Sequence, residues 1–113
     1  MIEAELSKIK MLHEALRKIQ KFTEDMKSVD DLTSNDLVWD AVKMNLVVIA
    51  EMDMKISPEI KKKFDSVDWY KIQENKPSII SKYLGFDQNE IWKAINEKLP
   101  SFIKQLETVL GEG

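Results

Sequence analysis

The sequence predicts an all-α fold, an antiparallel four-helix up-and-down bundle with one extra short helix. Apolar residues recur at spacings of three and four over most of the chain, which is the period of an amphipathic helix. Only three glycines and three prolines occur in 113 residues, and several of them mark predicted helix ends. We expect a single domain over residues 1–110, without β-strands, and a frayed tail at residues 111–113.

The first helix is predicted at residues 2–27, where one apolar stripe continues throughout. Its members are Ile2, Leu6, Ile9, Leu12, Leu16, Ile19, Phe22 and Met26. His13, the single histidine of the chain, lies at the edge of this stripe. It is either a flanking residue that packs through its ring or a catalytic acid–base group. A metal site is not expected, because no second ligand stands three or four residues further on.

The second helix is predicted to follow a polar turn at residues 28–34, with Asp30 or Ser34 as its N-cap, and to end near Lys55. One apolar face contains Val38, Ala41, Val42, Val48, Ile49 and Met52. A second apolar face, about 100° away on a helical wheel, contains Trp39, Leu46 and Ala50. This second face indicates either a homodimer interface or a central helix that is contacted on two sides within one chain.

Two polar residues of this helix, Asn45 and Glu51, are candidate functional residues. Asn45 lies on the first apolar face, where a buried amide must find hydrogen-bond partners. It either bonds to a neighbouring helix and fixes the helix register, or it lines a functional site. Glu51 is the weaker candidate, because glutamate is ordinary on an exposed helix face.

A short third helix is predicted at about residues 58–64. Ser57 is a good N-cap, and it is followed by proline at the first helical position and glutamate in the first turn. Lys61, Lys62 and Lys63 form a basic cluster at the end of this helix. They either complement the helix dipole or contact phosphate.

Two further helices are predicted, one from Asp68 to Gly85 and one from Asp87 to about Leu110. Both aspartates are suitable N-caps, and Gly85 suits the left-handed position that ends a helix. Pro100 should kink the last helix, because it removes a backbone hydrogen bond and crowds the preceding turn.

The composition excludes several classes of function. The absence of cysteine rules out disulfides and thiolate metal sites, and we expect no cofactor. A net charge of −3 gives no basic surface for nonspecific nucleic-acid binding, so DNA is not an expected partner. No apolar run reaches about 18 residues, and the N-terminus has no signal-peptide pattern. We therefore expect no membrane partner and a cytoplasmic location.

Two segments resemble one known protein family. Residues 69–87 contain W-x-K-I followed by I-x-x-Y-x-G-x-D. Residues 40–51, with the sequence DAVKMNLVVIAE, resemble the pattern D-A-V-x-R-N-L-x-x-I-G-E of that family's second helix. These patterns are similar to those of the HepT-like branch of the HEPN superfamily, and the resemblance covers roughly residues 5–110.

The resemblance implies a helical homodimer with metal-independent endoribonuclease activity, so that RNA is the implied substrate. Proteins of this kind are the toxins of toxin–antitoxin pairs whose antitoxin is a minimal nucleotidyltransferase, MNT. The family motif R-N-x-x-x-H-x-Y falls on Lys76, Pro77, Ser81 and Tyr83 of this sequence, where only the tyrosine is retained.

The replaced residues are those that carry the family's chemistry. In the family, a histidine moves protons and an arginine holds the phosphate with a planar fork. Ser81 has no proton affinity suited to pH 7, and Lys76 keeps the positive charge without the fork. The family cleft would be lined by Asn45, Glu51 and Pro77. We expect RNA cleavage to be weakened or lost, which leaves two classes: a HepT-like ribonuclease or its decayed descendant, or a non-catalytic dimer that binds a nucleotide or a protein.

The retained tyrosine has a role of its own in the family. The resemblance implies that MNT transfers AMP to its hydroxyl and thereby silences the toxin. Tyr83 is the corresponding candidate acceptor in this chain. The alternative is that Tyr83 packs at the end of its helix and is not modified.

Overall fold

The computed structural model describes residues 2–67, 69 and 87–112, which form six helices. In chain order these are α1 (Ile2–Thr23), α2 (Val29–Thr33), α3 (Asp36–Lys55), α4 (Pro58–Lys63), α5 (Gln88–Glu97) and α6 (Leu99–Glu112). No strand occurs within these ranges, and the predicted all-α class is confirmed. The predicted helix at residues 68–85 lies outside the described residues except for Trp69. Its predicted N-cap, Asp68, and its predicted C-terminal glycine, Gly85, also lie outside them. No helix in the described ranges is both long and apolar enough to cross a membrane.

The hydrophobic core is built around α1, which packs against both α3 and α6. Ile9, Leu12 and Ile19 of α1 have no solvent-accessible surface, and neither do Val42 of α3 and Leu106 of α6. Burial of one such side chain contributes about 1.5–3 kcal/mol relative to leaving it exposed. The predicted stripe of the first helix is therefore the central support of the bundle.

The polar turn before α3 differs from the prediction. Ser28 rather than Asp30 is the first cap, and it begins the short helix α2. Ser34 ends α2, and Asn35 is the N-cap of α3. In both caps a side-chain oxygen accepts a hydrogen bond from the backbone N–H three residues further on. Asp30 and Ser34 were therefore wrong as caps of the second long helix, because Ser28 and Asn35 place their oxygens at the two free helix ends.

The predicted start of the short third helix is confirmed. The Ser57 hydroxyl accepts a hydrogen bond from a backbone N–H in the first turn of α4 at 3.3 Å. The backbone N–H of Ser57 donates to the Glu5 carboxylate at 3.3 Å, and the Lys8 ammonium donates to the Lys55 carbonyl at 3.0 Å. These two bonds attach the beginning of α1 to the link between α3 and α4.

The last predicted helix is divided at Lys98 into α5 and α6. Asp87 caps α5 as predicted, because its carboxylate accepts bonds from two N–H groups of the first turn. Pro100 lies in the first turn of α6, where its missing N–H has no helical partner to lose. The helix continues to residue 112, two residues into the segment predicted as a frayed tail.

Candidate functional site

The four motif positions, Lys76, Pro77, Ser81 and Tyr83, lie outside the described residues. Among the residues named from the sequence, the structure does place Asn45 and Glu51 on α3, His13 on α1, and the three lysines on α4.

The structure does not bring Asn45 and Glu51 together. Asn45 is half-buried, and its amide donates a hydrogen bond at 2.8 Å to the Ala41 carbonyl, one turn earlier in the same helix. Among the described residues this bond lies within α3. A role of Asn45 in fixing the helix register or in lining a functional site stays a prediction. Glu51 is exposed and lies about 120° away from Asn45 around the helix axis. Any cleft that both residues line must therefore reach around α3.

The second apolar face predicted for α3 packs inside the chain. Ala50 is buried, and Trp39 and Leu46 are half-buried against the hydrophobic core. The ammonium of Lys43 also lies 5.2 Å from the centre of the Trp39 ring. Among the described residues these contacts support the interpretation of a central helix that is contacted on two sides within one chain. A dimer interface at this face stays a prediction.

A different face of α3 presents apolar side chains to solvent. Leu37, Ala41, Met44 and Val48 follow one another at spacings of four, three and four, and we call them the α3 stripe. Leu37 is 85% exposed and Met44 is 64% exposed, whereas the other two are half-buried. This spacing is the one by which one helix packs along another at a shallow angle.

His13 joins α1 to α6. Its ring is half-buried, and its Nε2 lies 3.0 Å from a carboxylate oxygen of Glu107. The contact supports the interpretation of a flanking residue that packs between helices, and it adds a polar contact to Glu107 that the sequence does not predict. No group of three or more metal-ligating side chains occurs in the part of the chain that the structure describes.

The junction of α3 and α4 contains a buried charge. Asp53 has no solvent-accessible surface, and it is the one charged side chain in the buried class among the described residues. The Lys61 ammonium lies 3.1 Å from one of its carboxylate oxygens. Within the described ranges neither carboxylate oxygen accepts a hydrogen bond. Asp53 therefore depends on the charge of Lys61.

Trp69 extends this junction towards α6. The Lys61 ammonium lies 6.0 Å from the centre of the Trp69 ring. The indole N–H donates to the Phe64 carbonyl at 3.0 Å, and the ring meets Phe102 edge-on with 6.3 Å between the centres. We call Asp53, Lys61 and Trp69 the Asp53 cluster; it connects α3, α4 and α6 with the first residue of the W-x-K-I pattern.

The Asp53 cluster was not predicted from the sequence, although the sequence contains a signal for it. Asp53 falls four residues after Ile49 and eleven after Val42, in line with buried positions of the same helix. An acidic residue in such a row requires a partner of opposite charge. The basic cluster on α4 provides it, because Lys61 turns inward while Lys62 remains exposed.

Comparison with known proteins places this fold in a family. The profile of the ribonuclease HepT-like family matches residues 12–109. A protein of Methanocaldococcus jannaschii named "Putative RNase MJ1380" is 28% identical over 96 residues, which cover 85% of this chain and 87% of that protein. The "Probable ribonuclease HepT" of Thermococcus cleftensis is 27% identical over 88 residues, 78% of this chain and 79% of its own length.

Because the family profile covers most of the sequence, the chain belongs to the ribonuclease HepT-like family. The resemblance in residues 40–51 and 69–87 is thereby confirmed. No solved structure matches the chain significantly.

Proposed function

We propose that this chain is the HepT-like component of a toxin–antitoxin pair with an MNT nucleotidyltransferase, and that its own RNA cleavage is weakened or lost. One observation carries the proposal. The chain matches the ribonuclease family along residues 12–109, yet of the four motif residues it retains only Tyr83. The acceptor of the antitoxin's AMP is kept, while the groups that act on RNA are replaced.

The expected loss of cleavage follows from the chemistry of the replaced residues. Cleavage without a metal requires a group that takes the proton from the ribose 2′-hydroxyl or supplies one to the leaving oxygen. Ser81 cannot do either at neutral pH without a base beside it. Lys76 attracts phosphate as a point charge but cannot bind two of its oxygens side by side. Pro77 also removes both a side-chain amide and a backbone donor.

Transfer of AMP to Tyr83 is the experiment that tests the proposed function. The chain is incubated with an MNT nucleotidyltransferase from the same genome, ATP and magnesium, and its intact mass is measured. We expect a gain of one or more AMP units, because the phenol at this position is the family's acceptor. The added phosphate would place negative charge near Lys76 and Lys82 and repel an RNA backbone.

Tyr83→Phe is the matched control, because it removes only the hydroxyl. The mass gain should disappear in this variant. If the wild-type mass does not change, or if the gain persists in Tyr83→Phe, the proposed acceptor role is wrong. Tyr70, the other tyrosine of the chain, is the first alternative acceptor to examine in that second case.

A second candidate function is a non-catalytic dimer that binds a nucleotide or a protein. The α3 stripe favours it, since two large apolar side chains at helical spacing remain exposed on one face. Both candidates include a homodimer, and we propose that it forms through the α3 stripe. A gene for a small nucleotidyltransferase next to the gene of this chain would favour the toxin–antitoxin function over the binding module.

Met44→Asp should convert the homodimer to a monomer. The change places a charge in the middle of the α3 stripe, where it would be desolvated without a partner in the dimer. Light scattering should give twice 13.2 kDa for the wild type and 13.2 kDa for the variant.

Met54→Asp is the matched control for this experiment. Met54 belongs to the same helix and is 59% exposed, but it lies about 80° away from Met44 around the helix axis. We expect it to remain dimeric. A dimer that survives both Met44→Asp and Leu37→Asp would show that the interface is elsewhere.

A further inference from the structure

We infer that the Asp53–Lys61 ion pair is a positioning contact, which holds α4 and Trp69 in one place against the bundle without adding to global stability.

The burial of the pair argues against a stabilising role. Asp53 is completely buried and Lys61 keeps only 15% of its side-chain surface exposed, so both charges have lost most of their hydration. Attraction at 3.1 Å offsets this loss only when hydrogen bonds satisfy the remaining carboxylate lone pairs. Within the described ranges neither Asp53 oxygen accepts a hydrogen bond. A well-packed apolar pair at these positions would therefore serve stability equally well or better.

The position of α4 explains what the pair does instead. This helix has six residues, and none of them is fully buried. A short helix with so little buried surface has many nearly equivalent ways to lie on a bundle, because apolar contact has no direction. A buried carboxylate that accepts only one cation removes this freedom, since every other placement of Lys61 leaves Asp53 without compensation.

The position of α4 also determines the surroundings of Trp69. Lys61 lies over its ring, and Phe64, just after α4, accepts its indole N–H. A shift of α4 therefore changes the surroundings of Trp69, the first residue of the segment that contains all four motif positions. The ion pair thus determines the position of Trp69 against α4 and α6.

The double variant Asp53→Val/Lys61→Met tests the inference. It is prepared together with Trp39→Phe and Trp92→Phe, and compared with a parent that carries the two tryptophan changes only, so that Trp69 is the sole tryptophan. We expect a denaturation midpoint equal to or above that of the parent. The backbone N–H of Phe64 donates a hydrogen bond to the Ile60 carbonyl. We also expect hydrogen–deuterium exchange of this amide to become at least about tenfold faster. The Trp69 emission should shift to longer wavelength.

Two controls separate positioning from general loosening. Lys61→Arg keeps the charge and should leave hydrogen exchange and Trp69 emission unchanged. Hydrogen exchange at the Leu106 amide, in the core, should not become faster in any variant. Unchanged Phe64 exchange and Trp69 emission in the double variant would overturn the inference. A lower denaturation midpoint, or failure of the double variant to fold, would also overturn it, because the pair would then be a source of stability.

Discussion

Lys61→Met is expected to lower the free energy of unfolding by about 3–5 kcal/mol, a large part of the stability of a typical domain. The change removes the only cation near Asp53 among the described residues and leaves that carboxylate buried and uncompensated. The methionine itself fits the space that the lysine stem occupies, so loss of packing contributes little. Equilibrium urea unfolding, followed by circular dichroism, measures the effect.

Two variants control for this prediction. Lys62→Met makes the same change at the next residue, which is exposed, and should alter stability by no more than about 0.5 kcal/mol. Asp53→Val should cost less than Lys61→Met, because the long lysine side chain can turn its ammonium to water while the aspartate cannot. A loss below about 1 kcal/mol for Lys61→Met would show that Asp53 has another source of compensation.

Restoration of the motif should increase RNA cleavage by about two orders of magnitude or more. The variant Lys76→Arg/Pro77→Asn/Ser81→His returns the phosphate-binding fork and the group that transfers protons. Its cleavage rate on a labelled RNA is compared with that of the wild type under single-turnover conditions.

The restored variant requires its own controls. The variant Lys76→Arg/Pro77→Asn, which keeps Ser81, should remain close to the wild-type rate, because the proton-transfer group is still absent. Circular dichroism shows whether each variant is folded. If the restored variant is folded but cleaves RNA no faster than the wild type, residues outside the motif also prevent cleavage.

Local signals predicted much of the fold. The cap at Ser57 and the cap at Asp87 depend on neighbouring residues only, and the structure confirms both. The stripe of α1 is confirmed at Ile9, Leu12, Leu16 and Ile19, whereas Phe22 is exposed and the helix ends at Thr23. The start of α3 was misplaced because Asp30, Ser34 and Asn35 are all good caps within six residues, and local preference does not rank them. Tertiary packing of the short helix α2 decides between them.

The sequence pattern did not predict contacts between residues that are distant along the chain. His13 and Glu107 are 94 residues apart, and nothing in the sequence pairs them. Asp53 and Lys61 are closer, but their contact exists only because the chain turns between α3 and α4. The face at Trp39 and Leu46 was left open between a dimer interface and a central helix, because a helical wheel shows which residues are apolar but not which neighbour covers them.

Some residues of the candidate site could likewise be predicted from the sequence, and others could not. The motif positions could be found from the sequence, because the family pattern fixes their spacing. The α3 stripe could not be found in this way, since it is recognised only from the exposure of Leu37 and Met44 in the folded chain.

The most direct test of the account is the rate at which the purified wild-type chain cleaves one end-labelled RNA, measured beside the variant Lys76→Ala/Ser81→Ala. The account predicts that both rates equal the uncatalysed background under conditions in which a HepT with an intact motif cleaves the RNA. A wild-type rate well above background that is lost in the double variant would contradict it, because the replaced motif residues would then be catalytic.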